Sequence, residues 1–501
     1  MFRWKVWLNR IALVCLISVV MISWSVSHSS VLAEKVQFQI LQINDVYEIA
    51  PLAGGAEAGL ARVATVRKDL LAENENTFTV MAGDFFSPSA LGTATVDGDR
   101  LAGQQMVGVL NAMELDLATF GNHEFDLTEP QFRDRLEESK FQWFSGNVRD
   151  AEGEQWKNVP DYVIRTIESE SGEKVRIGFV GTTIPSNPAP YVSYLDPLDK
   201  MKEDVEAIVD DVDVIVAVTH LNLPDDQYLA ENIPEIDIVL GGHEHDNIQQ
   251  WRGKDFTPIF KADANARTAY IHRFTYDTGS DELEVESELE FLTEAIALDP
   301  DTEKAVDYWE QKAFDGFREN GFEPEAVITE TEIPLDGLES SVRNESTELT
   351  HVIADAVLNS ATDVDVSIFN SGSIRIDDVM PPGIITQYDV IRVLPFGGEI
   401  VTVEMSGELL EQVLNQGLAN RGSGGFLQTS GVTQDSDTQN WLVGDRPLDP
   451  TTTYKVATVE FLISGNEIGL DFLNTDNPDL KVLSKEGDIR FALIDQLQAA
   501  N

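Results

Sequence analysis

At 501 residues the chain exceeds what one hydrophobic core usually organises, so two domains are expected. Hydrophobic content of 42% with 8% aromatics excludes a disordered chain. A formal charge of −52 argues against nucleic acid and anionic membranes as partners, because a surface of that sign repels both. An anionic substrate would have to be met by metal ions and a few local arginines.

Residues 1–33 read as an export signal: Arg3, Lys5 and Arg10 precede the apolar stretch from Ile11 to Trp24, and Val31-Leu32-Ala33 ends in small residues suited to cleavage. The expected destination is periplasmic or extracellular, with no membrane attachment after cleavage and an anchor if the segment stays uncut. Cys15 is the one cysteine, so the mature chain would carry neither thiol nor disulfide.

Val36 to Ile40 alternates apolar and polar residues before Asp45, as an opening strand should. Gly59 to Leu71 has helical spacing, with Arg62, Arg67 and Lys68 assigned to the outer face. The strand, loop and helix alternation continues to residue 246 and predicts an α/β layered domain over 34–298. Pro185, Pro188, Pro190 and Pro197 mark an irregular surface loop. Thr268 to Leu292 returns to a strand pattern, with Glu282, Glu284 and Glu286 outward.

Asp299-Pro300 opens a helix over Thr302 to Asn320 that Gly321 stops, and this is read as a linker over 299–321. Residues 322–501 then show an α+β texture: helices at Glu348 to Ser360 and Ser406 to Leu418, and strands at Val364 to Phe369 and Tyr454 to Val459. Gly422, Gly424 and Gly425 mark either a ligand-lining loop or a plain surface loop.

Five apolar runs end in ligand-type residues. Ile40 to Ile43 leads into Asn44-Asp45, and Phe78 to Ala82 into Gly83-Asp84. Leu115 to Phe120 leads into Gly121-Asn122-His123-Glu124-Phe125-Asp126, Val212 to Val218 into Thr219-His220, and Ile236 to Leu240 into Gly241-Gly242-His243-Glu244-His245-Asp246. Four of the seven histidines sit at these ends. Mixed oxygen and nitrogen donors suit zinc, manganese or iron rather than a thiolate-loving metal. Asp84, following a glycine in a tight turn, is the best placed to bridge two ions about 3.5–4 Å apart.

These blocks resemble the calcineurin-like metallophosphatases, and together with the second half they are similar to the 5′-nucleotidase branch, which includes UDP-sugar hydrolases and cyclic-nucleotide phosphodiesterases. The resemblance implies a four-layer α/β/β/α metallophosphatase domain followed by an α+β substrate-binding domain, with closure of one on the other. By position, Asp45, Asp84 and His245 would hold one di- or trivalent ion, and Asp84, Asn122, His220 and His243 a second. His123 and Asp126 would form the catalytic pair that assists attack of metal-activated water on phosphorus. The family's Asp-x-His pattern is broken by Tyr47, which is either a ligand to a strong Lewis acid or a packing side chain beside a weaker site.

In the second half, Asn370-Ser371-Gly372-Ser373-Ile374-Arg375 resembles the family's substrate block, with Ser373 in place of a glycine. Asn370 and Gly372 would approach the nucleotide and Arg375 its anionic group. Phe396 and Phe461 would sandwich the base, with Glu467 in place of the usual aspartate and Arg343 as a second anion contact. The implied activity is release of phosphate from nucleoside 5′-monophosphates, with no nucleic-acid partner. UDP-sugars, 2′,3′-cyclic nucleotides and thiosulfate esters are the alternative substrates. A nucleotide-binding protein with a degraded metal site is the non-enzymatic alternative, suggested by Tyr47 and the altered glycine loop.

Overall fold

The computed structural model describes residues 34–169, 171–186 and 188–499. The export segment expected over residues 1–33 lies outside the described residues, and no described helix is long and apolar enough to cross a membrane.

Strands β1 (Lys35–Ile43), β2 (Thr77–Ala82), β3 (Leu117–Thr119) and β4 (Gln142–Trp143) run parallel in one six-stranded sheet. A second sheet contains β5 (Tyr162–Glu168), β6 (Lys174–Thr183), β7 (Val214–His220), β8 (Ile238–Gly241), β9 (Ile248–Arg252) and β10 (Thr257–Lys261). In it β6, β7, β8 and β10 are parallel, and the edge strands β5 and β9 antiparallel. The hairpin β11 (Thr268–Asp277) and β12 (Glu282–Phe291) then returns to the first sheet beside β1.

The alternation of β1 explains the layering. Phe38 and Ile40 point into an apolar seam shared with Phe179, Val216 and Leu240 of the other sheet, while Leu41 and Ile43 point to the helices on the opposite face. Helices α1 (Leu60–Glu73), α2 (Gln104–Met113) and α3 (Glu129–Glu138) cover the first sheet through residues such as Val63, Leu110 and Phe132. Helices α4 (Pro197–Ile208) and α5 (Leu223–Asn232) cover the second through Val205 and Leu229. Four layers in the order α/β/β/α result, and central strands covered on both faces become near-continuous apolar runs.

Two local expectations need correction. Arg62 and Arg67 do not face solvent: they are 4% and 7% exposed. Arg62 donates to the carbonyls of Ala58 and Gly55, and Arg67 pairs with Glu114 at 3.3 Å, so each buried guanidinium has acceptors that replace water. Lys68 remains half-exposed and pairs with Asp299. Pro197 is not a loop residue. It opens α4, where a missing N–H costs nothing and Asp196 caps the turn by accepting from Leu198 and Asp199.

Helix α6 (Pro300–Glu319) starts two residues before its expected position, capped by Asp299 accepting from the Thr302 N–H at 3.0 Å. It is docked rather than free-standing. Trp309 lies so close to Gly108 of α2 that a Cβ there would come within 2.1 Å of its Nε1. Beyond it, α7 (Glu348–Asn359), α8 (Gln387–Val393), α9 (Gly407–Ala419) and α10 (Ile489–Ala499) accompany a five-stranded sheet. Its strands are β13 (Val366–Asn370), β14 (Glu399–Ser406), β15 (Leu427–Ser430), β16 (Thr453–Val459) and β17 (Leu480–Asp488), in the order β15-β13-β16-β14-β17. The apolar cluster on the helical face of the first sheet runs on through α6 into this half.

Candidate metal centre and substrate cavity

The carboxyl ends of β1, β2, β3, β7 and β8 gather on one rim, the edge of parallel sheets where ligands generally bind. Asp45, Asp84, Asn122 and His220 there are at most 3% exposed. The ligand-type atoms of Asp84, His220 and His243 lie within 4.8 Å of one another, close enough for one ion. His220 Nε2 is 3.0 Å from Asp84 Oδ2 and 3.9 Å from Asp45 Oδ1, and His245 Nε2 is 3.5 Å from Asp45 Oδ1. The backbone at Asp45, Asp84, His243 and His245 is left-handed, with φ of 52°, 56°, 92° and 63°. Such strain at four non-glycine residues persists only where surrounding contacts enforce it, and it clusters at functional sites.

Those contacts are identifiable. Glu124 is fully buried and accepts from the backbone N–H groups of Asp84, Phe85, Phe86 and Gly121, clasping the loops after β2 and β3 together. Burial and the neighbouring Asp84 charge push Glu124 up to about 7, although the four N–H donors favour its ionised form. Asn44 braces Asp45 by donating to Oδ2 at 2.8 Å. On the second sheet, buried Lys261 donates to the carbonyls of Leu221 and Gly242 and pairs with Asp226 and Glu244, pinning the loop that carries His243 and His245. Gly121 has no room for a side chain: a Cβ would sit 2.0 Å from Asp84 Oδ1.

The donor set fits cations. His220 Nδ1 engages the Ala82 carbonyl at 2.8 Å, an interaction in which Nδ1 carries the proton and Nε2 keeps a lone pair aimed at Asp84. His220 Nε2 meets only the Asp84 and Asp45 carboxylates and Asn122 Oδ1 is buried without a hydrogen-bond partner, and among the described residues no lysine or arginine pairs with Asp45 or Asp84. Burial works against a charge on His220, yet the Asp84 and Asp45 carboxylates outweigh it and take the imidazole up to about 10. His243 goes the other way, to about 3, through burial and then the charge of His220. Burial raises Asp84, but His220 and His123 overcome it and hold the carboxyl below its ordinary value.

Tyr47 faces this cluster rather than the core. Its hydroxyl is 2.9 Å from His245 Nε2, 3.4 Å from Asp84 Oδ2 and 3.5 Å from Asp45 Oδ1, and burial followed by those carboxylates raises the phenol well above its usual value. The other nitrogen of His245, Nδ1, contacts Asp377 of the second half. His123 donates its backbone N–H to Asp84 Oδ1, and its Nδ1 lies 2.7 Å from Asp126 Oδ2, which Ser87 also engages. Burial opposes a charge on His123, and the Asp84 and Asp126 carboxylates overcome it and hold the imidazole above its ordinary value.

Asp126 also borders a cavity of about 820 Å³ between the two halves. Asn370, Gly372, Arg375, Phe396, Phe461 and Glu467 line it, with Ser87, Arg100 and Gln131 from the first half. Phe396 and Phe461 are 45% and 48% exposed, so neither is a core residue. The Arg375 guanidinium lies 5.8 Å from the centre of the Phe396 ring, and its buried Nε has no hydrogen-bond partner. Ser373 donates to Asn370 Oδ1 at 2.8 Å. Gly424 packs against Gly372 at this cavity, so the glycine-rich loop is a lining segment. Arg343 does not line it, and its guanidinium is held by Glu339. Sequence reasoning missed the clasp by Glu124, although the residue stood inside the ligand motif, and it missed Asp377, for which no local signal exists.

A buried cluster of cation ligands on the rim of a four-layer fold defines a class, and the family comparison agrees. Residues 38–247 match the calcineurin-like phosphoesterase family, whose members generally bind two divalent metal ions, and the chain is a metal-dependent phosphoester hydrolase. Residues 327–474 match the 5′-nucleotidase, C-terminal domain family, so the chain belongs with the two-domain 5′-nucleotidases. It is 25% identical over 524 residues to the snake venom 5′-nucleotidase of Crotalus adamanteus, covering 91% of this chain and 85% of that one. It is 26% identical over 465 residues to the trifunctional nucleotide phosphoesterase protein YfkN of Bacillus subtilis, covering 81% of this chain but 31% of that relative's length. The 5′-nucleotidase precursor of Thermus thermophilus shares the fold, with a TM-score of 0.73 at 22% identity over 93% of this chain and 97% of that one. The non-enzymatic alternative is thereby set aside.

Proposed function

We propose that this protein is an exported phosphohydrolase that releases phosphate from nucleoside 5′-monophosphates, with residues 34–298 as its catalytic domain, 299–321 as a connecting helix and 322–501 as its substrate domain. The observation that carries this reading is the single cavity bordered by Asp126 on one side and by Arg375, Phe396 and Phe461 on the other. It puts aromatic faces and a guanidinium within reach of the same ligand whose phosphate would meet His123.

Asp84, Asn122, His220 and His243 would hold one divalent ion and Asp45, Asp84 and His245 a second, with Asp84 shared. Such ions, when bound, neutralise charge on phosphoryl oxygens and lower the pKa of water. The chain's own groups do the rest. Asp126 fixes the His123 ring through Nδ1, so that a protonated imidazole can donate from Nε2 to a phosphoryl oxygen or to the departing alkoxide. Arg375, which lines the cavity beside Phe396, would offer its guanidinium to an anionic oxygen, and Asn370, whose Oδ1 is occupied by Ser373, would offer its amide N–H to the base or ribose. Phe396 and Phe461 supply flat apolar faces to the heterocycle.

Hydrolysis by the purified protein of AMP (read as phosphate), UDP-glucose (read as UMP and glucose 1-phosphate) and 2′,3′-cyclic AMP (read as the ring-opened monophosphate), each with added manganese, zinc or iron, tests the reading. AMP is expected to give the highest kcat/KM. A clear preference for either other substrate would move the assignment to that ester.

A further inference from the structure

Among the described residues, the group that meets Nδ1 of the ligand-type His245 does not come from the first half. Asp263, Ala264 and Arg267 lie along the adjoining cleft, but the group in contact with His245 Nδ1 is the Asp377 carboxylate from the second half. Accepting from Nδ1–H fixes the tautomer and leaves the Nε2 lone pair pointing at Asp45 Oδ1, 3.5 Å away, and at Tyr47. Asp377 is itself held. Its other oxygen accepts from the Glu339 N–H at 2.7 Å, its backbone is left-handed at φ 40°, and its neighbour Asp378 pairs with Arg267 of the first half at 2.7 Å. Two residues before it stands Arg375, facing the substrate cavity and tied through its N–H to the Val393 carbonyl at 3.0 Å. One short segment therefore touches the cavity at one residue and the metal rim at the next but one.

We infer that Asp377 is a positioning residue through which the substrate domain completes the metal centre, so that a nucleotide held at Arg375 and a cation held at His245 strengthen each other. This rests on the metal reading above, and it adds that the centre is incomplete without the second half. A nucleotide that orders the segment around Arg375 holds Asp377 on His245, and by thermodynamic linkage any gain in cation affinity from the nucleotide equals the gain in nucleotide affinity from the cation.

Manganese titration of the chelator-stripped full-length protein tests this, with and without a methylenephosphonate analogue of AMP. Asp377→Ala is expected to weaken manganese binding 10- to 100-fold, the usual effect of removing a carboxylate that orients a ligating histidine. It should also reduce the gain in manganese affinity that the analogue produces in the wild type, leaving only the part that comes from the phosphonate's own contact with the ions. Asp377→Asn retains an oxygen that accepts from Nδ1–H and should recover most of the affinity. Asp378→Ala cuts the adjacent ion pair without touching His245 and should stay within about twofold of wild type. Equal loss in Asp377→Ala and Asp378→Ala would overturn the inference, since general loosening of the interface would then suffice. Wild-type binding and coupling in Asp377→Ala, alongside lost binding in Asp84→Ala, would overturn this inference alone. Wild-type binding in both would overturn the metal reading and this one with it.

Discussion

The metal rim and the substrate cavity are built on opposite principles. On the rim, each candidate ligand sits at the end of a central strand or within four residues of it, Asp45, Asp84, Asn122 and His220 are buried, and the loops are cross-braced by Glu124, Asn44 and Lys261. Across the cavity, Phe396 and Phe461 are nearly half exposed, Phe396 in the turn after α8 and Phe461 in a single 3-10 turn after β16. Chemistry that tolerates little displacement is placed where backbone geometry is over-determined, whereas substrate choice sits where side chains can change without disturbing a core.

Substitutions on the two sides should therefore fail differently. Asp84→Ala removes the shared carboxylate and is expected to abolish both bound metal and turnover, the latter by at least about 10³-fold, as metal analysis and phosphate release would register together. An active, metal-loaded variant would remove the contrast. Gly121→Ala leaves every ligand in place but drives a methyl group into Asp84. It should lower kcat about 100-fold while the protein still folds, because displacement of about 1 Å at a catalytic centre has effects of that size. Full activity in that variant would mean that the rim is less rigid than its contacts imply.

Phe396→Ala sharpens the other side. Its KM for AMP should rise about tenfold, the loss of one base-stacking contact, while kcat/KM for p-nitrophenyl phosphate, which has no base, should not change. A parallel fall for both substrates would place Phe396 in the catalytic machinery instead. The smallest effect concerns Asp237, which precedes β8 and accepts from the Ile215 N–H, and which burial pushes up to about 6. An acid raised on folding binds more protons in the native state, so its contribution is full below about pH 4 and is lost as pH rises through about 6. Asp237→Asn should flatten that slope and stabilise the protein at pH 8 by about 1 kcal/mol, measured by urea unfolding at both pH values.

The same contrast explains what could be read from the sequence. The rim was legible because a parallel strand buried on both faces appears as an apolar run, and the residues that follow it must lie on the shared edge. The strands leading to each ligand rest on that logic, the helix after Asp299 was legible from its Asp-Pro start and Gly321 stop, and the four-layer class came from the resemblance rather than from the pattern. Burial of Arg62 and Arg67 was not legible, because their acceptors are carbonyls in a loop and an acid just past the end of α2. The contact of Asp377 with His245 joins residues 132 positions apart, so no local pattern announces it. For Phe396 and Phe461 the residue type was informative but exposure was not, since an aromatic just past the end of a helix or strand also reads as core.

The most direct test of the central claim is phosphate release from AMP by chelator-stripped full-length protein as manganese is titrated back. Turnover should be absent from the stripped protein and return in step with ions bound, reaching its plateau at two per chain. Undiminished turnover in the stripped protein would contradict the account.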